Sequence, residues 1–418
     1  MEKEMSPPLH IRIFIALVMA VIAGLLIREP AVVRFYDFVG SLFLNALKML
    51  IIPLIVSSII SGIMGLPTTA SIKGLSIRTV AYYFITTLSA TVVGLMAVNL
   101  VKPGIVNGVP AQEILGLHAD GAALQNDLSS RGISDMVEIF HRMVPPNIVE
   151  AAAQNQLLGV IFFALLFGGS AIGLPQHHRQ RLFSLVEAVF QTMMRMTGLV
   201  LHFAPIGVFG LVAKVVAETG LAAFMPLLTF FFTVLGALAL HIFLVLPFLL
   251  LLNGINPVNH FRNMFPALLT AFSTASSSAT LPVTMDCLRK RAGVSNQVSS
   301  FVVPMGATLN MDGTALYECV AVMFIAQACS VDLSWTQQFF LVLVALLTSI
   351  GVAGVPSASL VAIVIILNAL GLPDEAVGPI LAVDRLLDMC RTSVNIFSDS
   401  CCAAIVDRSR GIELTRYE

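Results

Sequence analysis

The sequence predicts an all-α polytopic membrane protein with eight transmembrane helices and two opposed re-entrant helical hairpins. Three observations lead there. Of 418 residues, 57% are hydrophobic and 11% charged, against roughly 45–50% and about 25% in an ordinary soluble domain. Apolar stretches such as 11–27, 79–100 and 223–252 reach the roughly 20 residues a helix needs to cross the hydrocarbon core, whereas a β-barrel would show short alternating segments. The basic residues then sort by side of the membrane only if two segments enter and return.

From the N-terminus, "MEKEMSPPLH" precedes a long apolar run with no small-residue cleavage site, so 11–27 reads as a retained first helix and not a removed signal. Helices follow at 38–63, 79–101, 148–173, 182–216 and 223–252. The polar stretch 102–147, with "NGVPAQE" and "QNDLSSRGISD", is the one long loop and the place for exposed irregular structure. A hydroxyl-rich segment 267–286, a helix 298–327, a segment 336–369 and a last helix 377–406 complete the chain.

With the N-terminus inside, successive inner loops hold Lys73 and Arg78, then His177, His178, Arg179 and Arg181, then Arg262. Outer loops at 216–222 and 328–335 carry Glu218 and Asp332 and no Lys or Arg; Arg28 and Arg34 are a mild exception. Arg289, Lys290 and Arg291 follow 267–286 directly, and they stay inside only if that segment is a hairpin from the cytoplasmic side. Segment 336–369, with "GVAGVPSAS" in its middle, treated as a hairpin from the outer side, leaves Arg408, Arg410 and Arg416 inside. Both termini are therefore cytoplasmic.

The first hairpin carries "STASSSATLP", residues 273–282, with five hydroxyls in six residues. Non-helical backbone at membrane depth survives only when buried in protein or lining a polar cavity, and hydroxyls suit a turn there. One or two Ser or Thr can equally bond back to helix carbonyls or hold helices together; a cluster this dense, ending in Leu-Pro, reads as a hairpin tip.

Ionisable residues inside spans are costly and mark function by default. The last helix contains Asp384, Arg385, Asp388, Arg391, Asn395 and Asp399, and positions 384, 388, 391, 395 and 399 fall within roughly 80° of one another at about 100° per residue. Asp388 and Arg391 at i, i+3 are neighbours, which suits either a structural ion pair or, with the whole stripe, a polar pathway or ligand site. In "NMDGTALYE", 310–318, Asn310, Asp312 and Thr314 surround a helix-weakening Gly313; unwinding there would release carbonyls, and such oxygen ligands suit a hard cation. Glu318 lies about 240° from Asp312, as a candidate proton carrier or a satisfied neutral carboxyl. The set offers cation ligands, a guanidinium for a carboxylate and an aspartate for an amine. The net charge of -1 points to no polyanionic partner, nucleic acid included, and six cysteines without CxxC spacing read as small buried side chains.

Over nearly its whole length the chain resembles the glutamate transporter family of dicarboxylate and amino-acid:cation symporters. The stretches are "LKMLIIPLIVSSIISG" (47–62), "APIGVFGLVA" (204–213), "TASSSATLPVTM" (274–285), "GATLNMDGTALYE" (306–318), "GVAGVP" (351–356) and "DRLLDMCRTSVNIFSD" (384–399). The resemblance implies a homotrimer working as an elevator: scaffold helices 1–2 in 1–77 and 4–5 in 148–220, and a moving transport domain made of helix 3 (78–101) and of 221–410. Residues 102–147 would be an extracellular loop and 411–418 a cytoplasmic tail. It further implies that Arg391 holds the substrate side-chain carboxylate and Asp388 its amino group, with Thr314, Thr392, Asn395 and the backbone of Ser276, Ser277, Ser278 and Val355 completing the substrate site.

Three sodium sites are implied: Gly306, Asn310, Asn395 and Asp399; Thr308, Met311 and the backbone of Ser349, Ile350 and Val352; and Tyr83, Thr86, Thr87, Asn310 and Asp312. Sodium is then the coupling ion, with no tightly bound cofactor, and Glu318 stands where the animal type has a glutamate linked to proton carriage and potassium counter-transport. Departures from the family pattern are Ala275 and Met389, where acidic-substrate members carry a further arginine, so that Asp388 lacks a nearby second cation; Ser357 and Ser359 in the outer hairpin; and Ser398 before the last aspartate.

The implied function is sodium-coupled symport of L-glutamate or L-aspartate. An intramembrane protease is excluded, since the serines lack a GxSG-type turn and Asp312 lacks a GxGD setting. A channel would differ by not accumulating substrate against a gradient. A carrier of neutral amino acids or C4-dicarboxylates is the alternative: Arg391 weighs against a neutral substrate, because a guanidinium buried without an anion is costly, and Asp388 weighs against a dicarboxylate without an amine. Short loops and the lack of an N-x-S/T acceptor in 102–147 fit a prokaryotic inner membrane, with lipid as the surrounding partner.

Overall fold

The computed structural model describes residues 9–65, 70–115, 117, 144–154, 157–220, 224–351, 358–373 and 376–409. The chain begins with α1 (Leu9–Leu26), α2 (Pro30–Met64) and α3 (Ala70–Val101). Pro30 opens α2, where its missing N–H is harmless. Helix α3 reaches back to Ala70, eight residues before the expected start of its domain at 78. In the long loop, Ile105–Val106 pairs antiparallel with Val109–Pro110; Asn107 and Gly108, with φ of 52° and 81°, make the Asn-Gly turn whose twist matches its strands.

Two expected spans before residue 223 are broken. Segment 148–173 is α4 (Ile148–Ala153) and α5 (Leu157–Ile172), and segment 182–216 is α6 (Gln176–His202) and α7 (Ala204–Thr219), meeting at an angle at Phe203. Pro205 causes the second break, because its ring and missing N–H cannot continue the preceding helix. The stretch Phe224–Leu252 is long and apolar enough to cross a membrane, and runs as α8 (Phe224–Leu240), a π-helical turn His241–Val245 and α9 (Leu246–Leu252). Pro247 lies just beyond that turn, where it cannot bond to the carbonyl of Phe243 and the wider turn absorbs the lost bond.

The first hairpin is α10 (Pro257–Thr274) and α11 (Ser277–Lys290). Its tip shows what the hydroxyls do. Ala275 takes a left-handed conformation, φ 49° and ψ 38°, and Ser276 caps α11 by accepting from the Ala279 N–H at 3.2 Å. Thr280 Oγ1 donates to the Ser276 carbonyl at 2.8 Å and lies 3.3 Å from Thr274 Oγ1, so the two arms are tied across the turn.

The expected helix 298–327 is α12 (Asn296–Leu309) and α13 (Asp312–Ala328), unwound where Asn310 and Met311 take extended φ of -118° and -121°. The second hairpin is α14 (Trp335–Gly351) and α15 (Ala358–Leu370); Ser334 and Gln337 cap α14 reciprocally, each side chain accepting from the other's N–H. Its tip, with Val352 and Val355, lies outside the described residues, as do the tail 411–418 and most of the long loop. Helix α16 (Val377–Arg408) is last.

The helices pack as two sets. Helix α1 packs on α7, and α2 packs on α5, α6 and α7; α3 packs on α13, and α10, α12 and α13 pack on α16. The interior is mainly apolar but holds buried ionisable groups, and the surface is apolar too: Asp312, Glu318 and Asp399 are 0% exposed, while Leu100 is 86% and Phe243 65% exposed. Water would not tolerate that surface over so much of a protein; lipid does.

Candidate functional site

The polar stripe of α16 is buried throughout: Asp384, Asp388, Arg391, Asn395 and Asp399 are all under 5% exposed. Arg391 donates from Nε and Nη2 to Asp388 Oδ1 at 3.1 and 2.9 Å, and from Nη1 to Asp384 Oδ1 at 3.1 Å. Tyr317 donates its hydroxyl to the same Asp384 oxygen at 2.9 Å, and the Arg391 guanidinium sits 4.2 Å from the centre of the Tyr317 ring, a cation–π contact that holds the head group flat against α13. The expectation that Asp388 lacks a second cation is corrected here: Arg385 Nη1 lies 3.4 Å from Asp388 Oδ2. Residues 385 and 388 are i, i+3 neighbours, so the helix itself supplies what positions 275 and 389 do not.

Toward the C-terminal end of the stripe, carboxylates gather with no Lys or Arg paired to them among the described residues. Asn310, in the break between α12 and α13, donates from Nδ2 to Asp399 Oδ1 at 2.9 Å and to Ser398 Oγ at 3.0 Å. Its Oδ1 faces Thr86 and Thr87 of α3 at 3.4 and 3.5 Å. Thr87 donates to Asp312 Oδ1 at 2.7 Å, and Ser398 donates to Asp312 Oδ2 at 2.6 Å. Gly306 lies against this cluster: a Cβ there would collide with Asp399 Oδ1 and come within 2.7 Å of the Tyr83 hydroxyl. Tyr83 is fixed by donating to the Val302 carbonyl at 2.8 Å. Asp399 Oδ2 is buried without a partner among the described residues, an arrangement of oxygens that suits a hard cation.

Asn395 joins the two halves. Its Oδ1 accepts from the Gly313 N–H at 2.8 Å and its Nδ2 donates to Thr314 Oγ1 at 3.2 Å. Gly313 is required there, since a Cβ would come within 2.6 Å of the Arg391 carbonyl. Thr392 spends its hydroxyl on the Asp388 carbonyl at 2.7 Å, and Thr308 on that of Met305 at 3.0 Å. Met311 is buried, as are Ser276 and Ser277, with Ser278 half-buried at the start of α11. Ser349 and Ile350 fall in the last turn of α14, where carbonyls have no intrahelical partner.

Glu318 stands apart, as its helical angle predicted. Thr348 of α14 donates to its Oε2 at 2.9 Å, and Oε1 has no partner among the described residues. Two participants were not foreseen. His241, on the π turn, puts Nε2 3.1 Å from Asp312 Oδ2, and Tyr317 braces Asp384. An ionisable residue inside the apolar run "LALHIFLV" was itself a signal for the histidine.

A buried guanidinium–carboxylate cluster beside a buried oxygen cluster, inside an apolar shell, has the chemistry to hold charged solutes. Residues 9–409 match the Sodium:dicarboxylate symporter family. The chain belongs to that family. Like other sodium:dicarboxylate symporter family members it is an integral membrane secondary transporter and not an enzyme. It is similar to a proton/sodium-glutamate symport protein of Bacillus caldotenax, with 33% identity over 96% of this chain and 94% of the relative. Excitatory amino acid transporter 3 of Oryctolagus cuniculus is 34% identical over 97% of this chain and 86% of its own. A proton/glutamate-aspartate symporter of Escherichia coli (strain K12) is 32% identical over 91% and 86%.

Proposed function

We propose that the protein is a sodium-coupled symporter of acidic amino acids, L-glutamate or L-aspartate. The observation that carries this reading is the adjacency, through Asn395, of the Arg391–Asp388 pair and the carboxylate cluster of Asp312 and Asp399. One half is equipped for a carboxylate and an ammonium; the other is equipped for cations. The relatives' names, which pair glutamate with sodium or protons, support the same solutes.

In this reading Arg391 turns from Asp388 to the substrate's side-chain carboxylate, and Asp388 accepts the ammonium. Thr314, Thr392 and Asn395 line the site, and the first N–H groups of α11, at Ser277 and Ser278, suit the other carboxylate; Ser276 and Val355 complete it from the hairpin tips. Sodium ions are carried at Gly306, Asn310, Asn395 and Asp399; at Thr308, Met311 and the backbone of Ser349, Ile350 and Val352; and at Tyr83, Thr86, Thr87, Asn310 and Asp312. The packing of the helices in two sets supports an elevator in which α3 and residues 221–410 move against the α1, α2 and α4–α7 scaffold, within a homotrimer whose termini face the cytoplasm of a prokaryotic cell. Glu318, with one oxygen unpaired, is suited to exchanging a proton for potassium.

Uptake of radiolabelled L-aspartate and L-glutamate into proteoliposomes, with sodium outside and potassium or choline inside, tests this. Sodium-dependent accumulation of either is expected, faster with internal potassium. Equal rates with potassium and choline would remove the potassium step alone. Absence of accumulation would remove the acidic amino-acid reading and leave neutral amino acids and C4-dicarboxylates.

A further inference from the structure

The two guanidinium groups of α16 hold Asp388 unequally. Arg391 takes Oδ1 with two N–H groups at 2.9 and 3.1 Å, whereas Arg385 approaches Oδ2 at 3.4 Å with one. The four charged side chains are nearly enclosed, with side-chain exposures of 12% for Arg385, 5% for Asp388, 3% for Asp384 and 1% for Arg391. Two carboxylates and two guanidinium groups make the cluster neutral before a solute arrives. Without Arg385 it would carry an excess negative charge, and a further anion would have to enter against it.

An anion that draws Arg391 away leaves Asp388 buried with its main partner gone. Separating a buried pair in that way is expensive unless another cation replaces the lost one. Arg385 is placed to replace it. It starts within reach of Oδ2, and its Nε has no partner among the described residues. Its side chain also lines a small cleft with Ile13 of α1, Phe43 of α2, Val208 of α7 and Leu360 of α15.

We propose that Arg385 is a positioning residue that sets the preference for acidic substrates: it takes over the charge of Asp388 as Arg391 turns to the substrate carboxylate, keeping Asp388 ionised and oriented to receive the ammonium. The inference rests on the acidic amino-acid reading above. It explains how a chain with alanine at 275 and methionine at 389 balances its site, using a cation on the face of α16 that meets the other helix set.

The test is uptake of L-aspartate into proteoliposomes by the full-length protein, by Arg385→Gln and by Arg385→Lys, with KM and maximal rate determined separately and L-serine as a neutral competitor. Loss of charge is expected to raise KM for aspartate about tenfold, with maximal rate within about twofold, since the missing contribution is to binding. The same change should leave competition by L-serine within about threefold, because a neutral amino acid does not draw Arg391 off. Arg385→Lys is expected to stay within about threefold of the parent KM, as a point charge replaces the fork. An unchanged KM in Arg385→Gln would overturn the proposal, as would a lysine variant as impaired as the glutamine one, or a maximal rate that falls while KM holds. Should the glutamine variant fail to assemble, the lysine variant decides: a tenfold rise in its KM overturns the proposal. If the parent protein takes up no acidic amino acid, the function reading fails, and this inference with it.

Discussion

The two halves of the site on α16 differ in how they are neutralised. The Arg391 guanidinium itself is paired on both sides: Asp388 and Asp384 take it, and Tyr317 secures Asp384. Around Asp399 and Asp312 the partners are amide, hydroxyl and imidazole groups, and Asp399 Oδ2 has none among the described residues. The first half is closed and must break a bond to admit a solute; the second is open and gains by admitting one. In the proposed reading, cations would therefore meet the smaller barrier, and their charge would then favour the anion that Arg391 turns to meet.

The most damaging test of that contrast is Arg391→Cys. It removes the proposed carboxylate ligand and leaves Asp384 to Tyr317 and Asp388 to Arg385, so acidic substrate uptake should fall at least about a hundredfold, while a neutral amino acid gains entry. Unchanged aspartate uptake would break the comparison outright. Asp399→Asn should come next: the sodium concentration for half-maximal uptake rises about tenfold or more, since the open half loses a formal charge, while aspartate still competes at saturating sodium. An unaltered sodium titration would show that the open oxygen is structural.

Glu318→Gln touches neither half and sharpens the boundary between them. Sodium-dependent substrate binding should persist, and the dependence of net uptake on internal potassium and on pH should disappear; retention of both responses would make Glu318 a packing residue for Thr348. Thr87→Val is the mildest of the set. Losing one hydroxyl to Asp312 should raise the sodium requirement about three- to tenfold, the scale of one hydrogen bond to a charged group, with KM for aspartate at saturating sodium unmoved.

Much of this was legible from side-chain chemistry alone. The stripe on α16 follows from residues that lipid rejects and from one angle per residue; the break and the hairpin turn were legible as regions, but they fall at Asn310–Met311 and not at Gly313, and at Ala275–Ser276 ahead of the helical Ser277 and Ser278. What was missed required backbone irregularity. His241 reaches Asp312 from a π turn that no fixed helical period anticipates. The bend at Phe203 was read through as one span, although Pro205 marked it. Arg385 lies off the stripe by its Cα direction, and only the length of its side chain carries the guanidinium across to Asp388.

The cap on α14 has a practical consequence. The residue it anchors is Trp335, the single tryptophan in 418 residues, and it is 83% exposed. The native protein thus carries one indole at the base of its second hairpin, excitable to the red of its five tyrosines without any added label. Emission and quenching of that indole report directly on the surroundings of α14 as solutes are added. Any rearrangement of α14 on binding becomes an optical signal that the unmodified protein supplies.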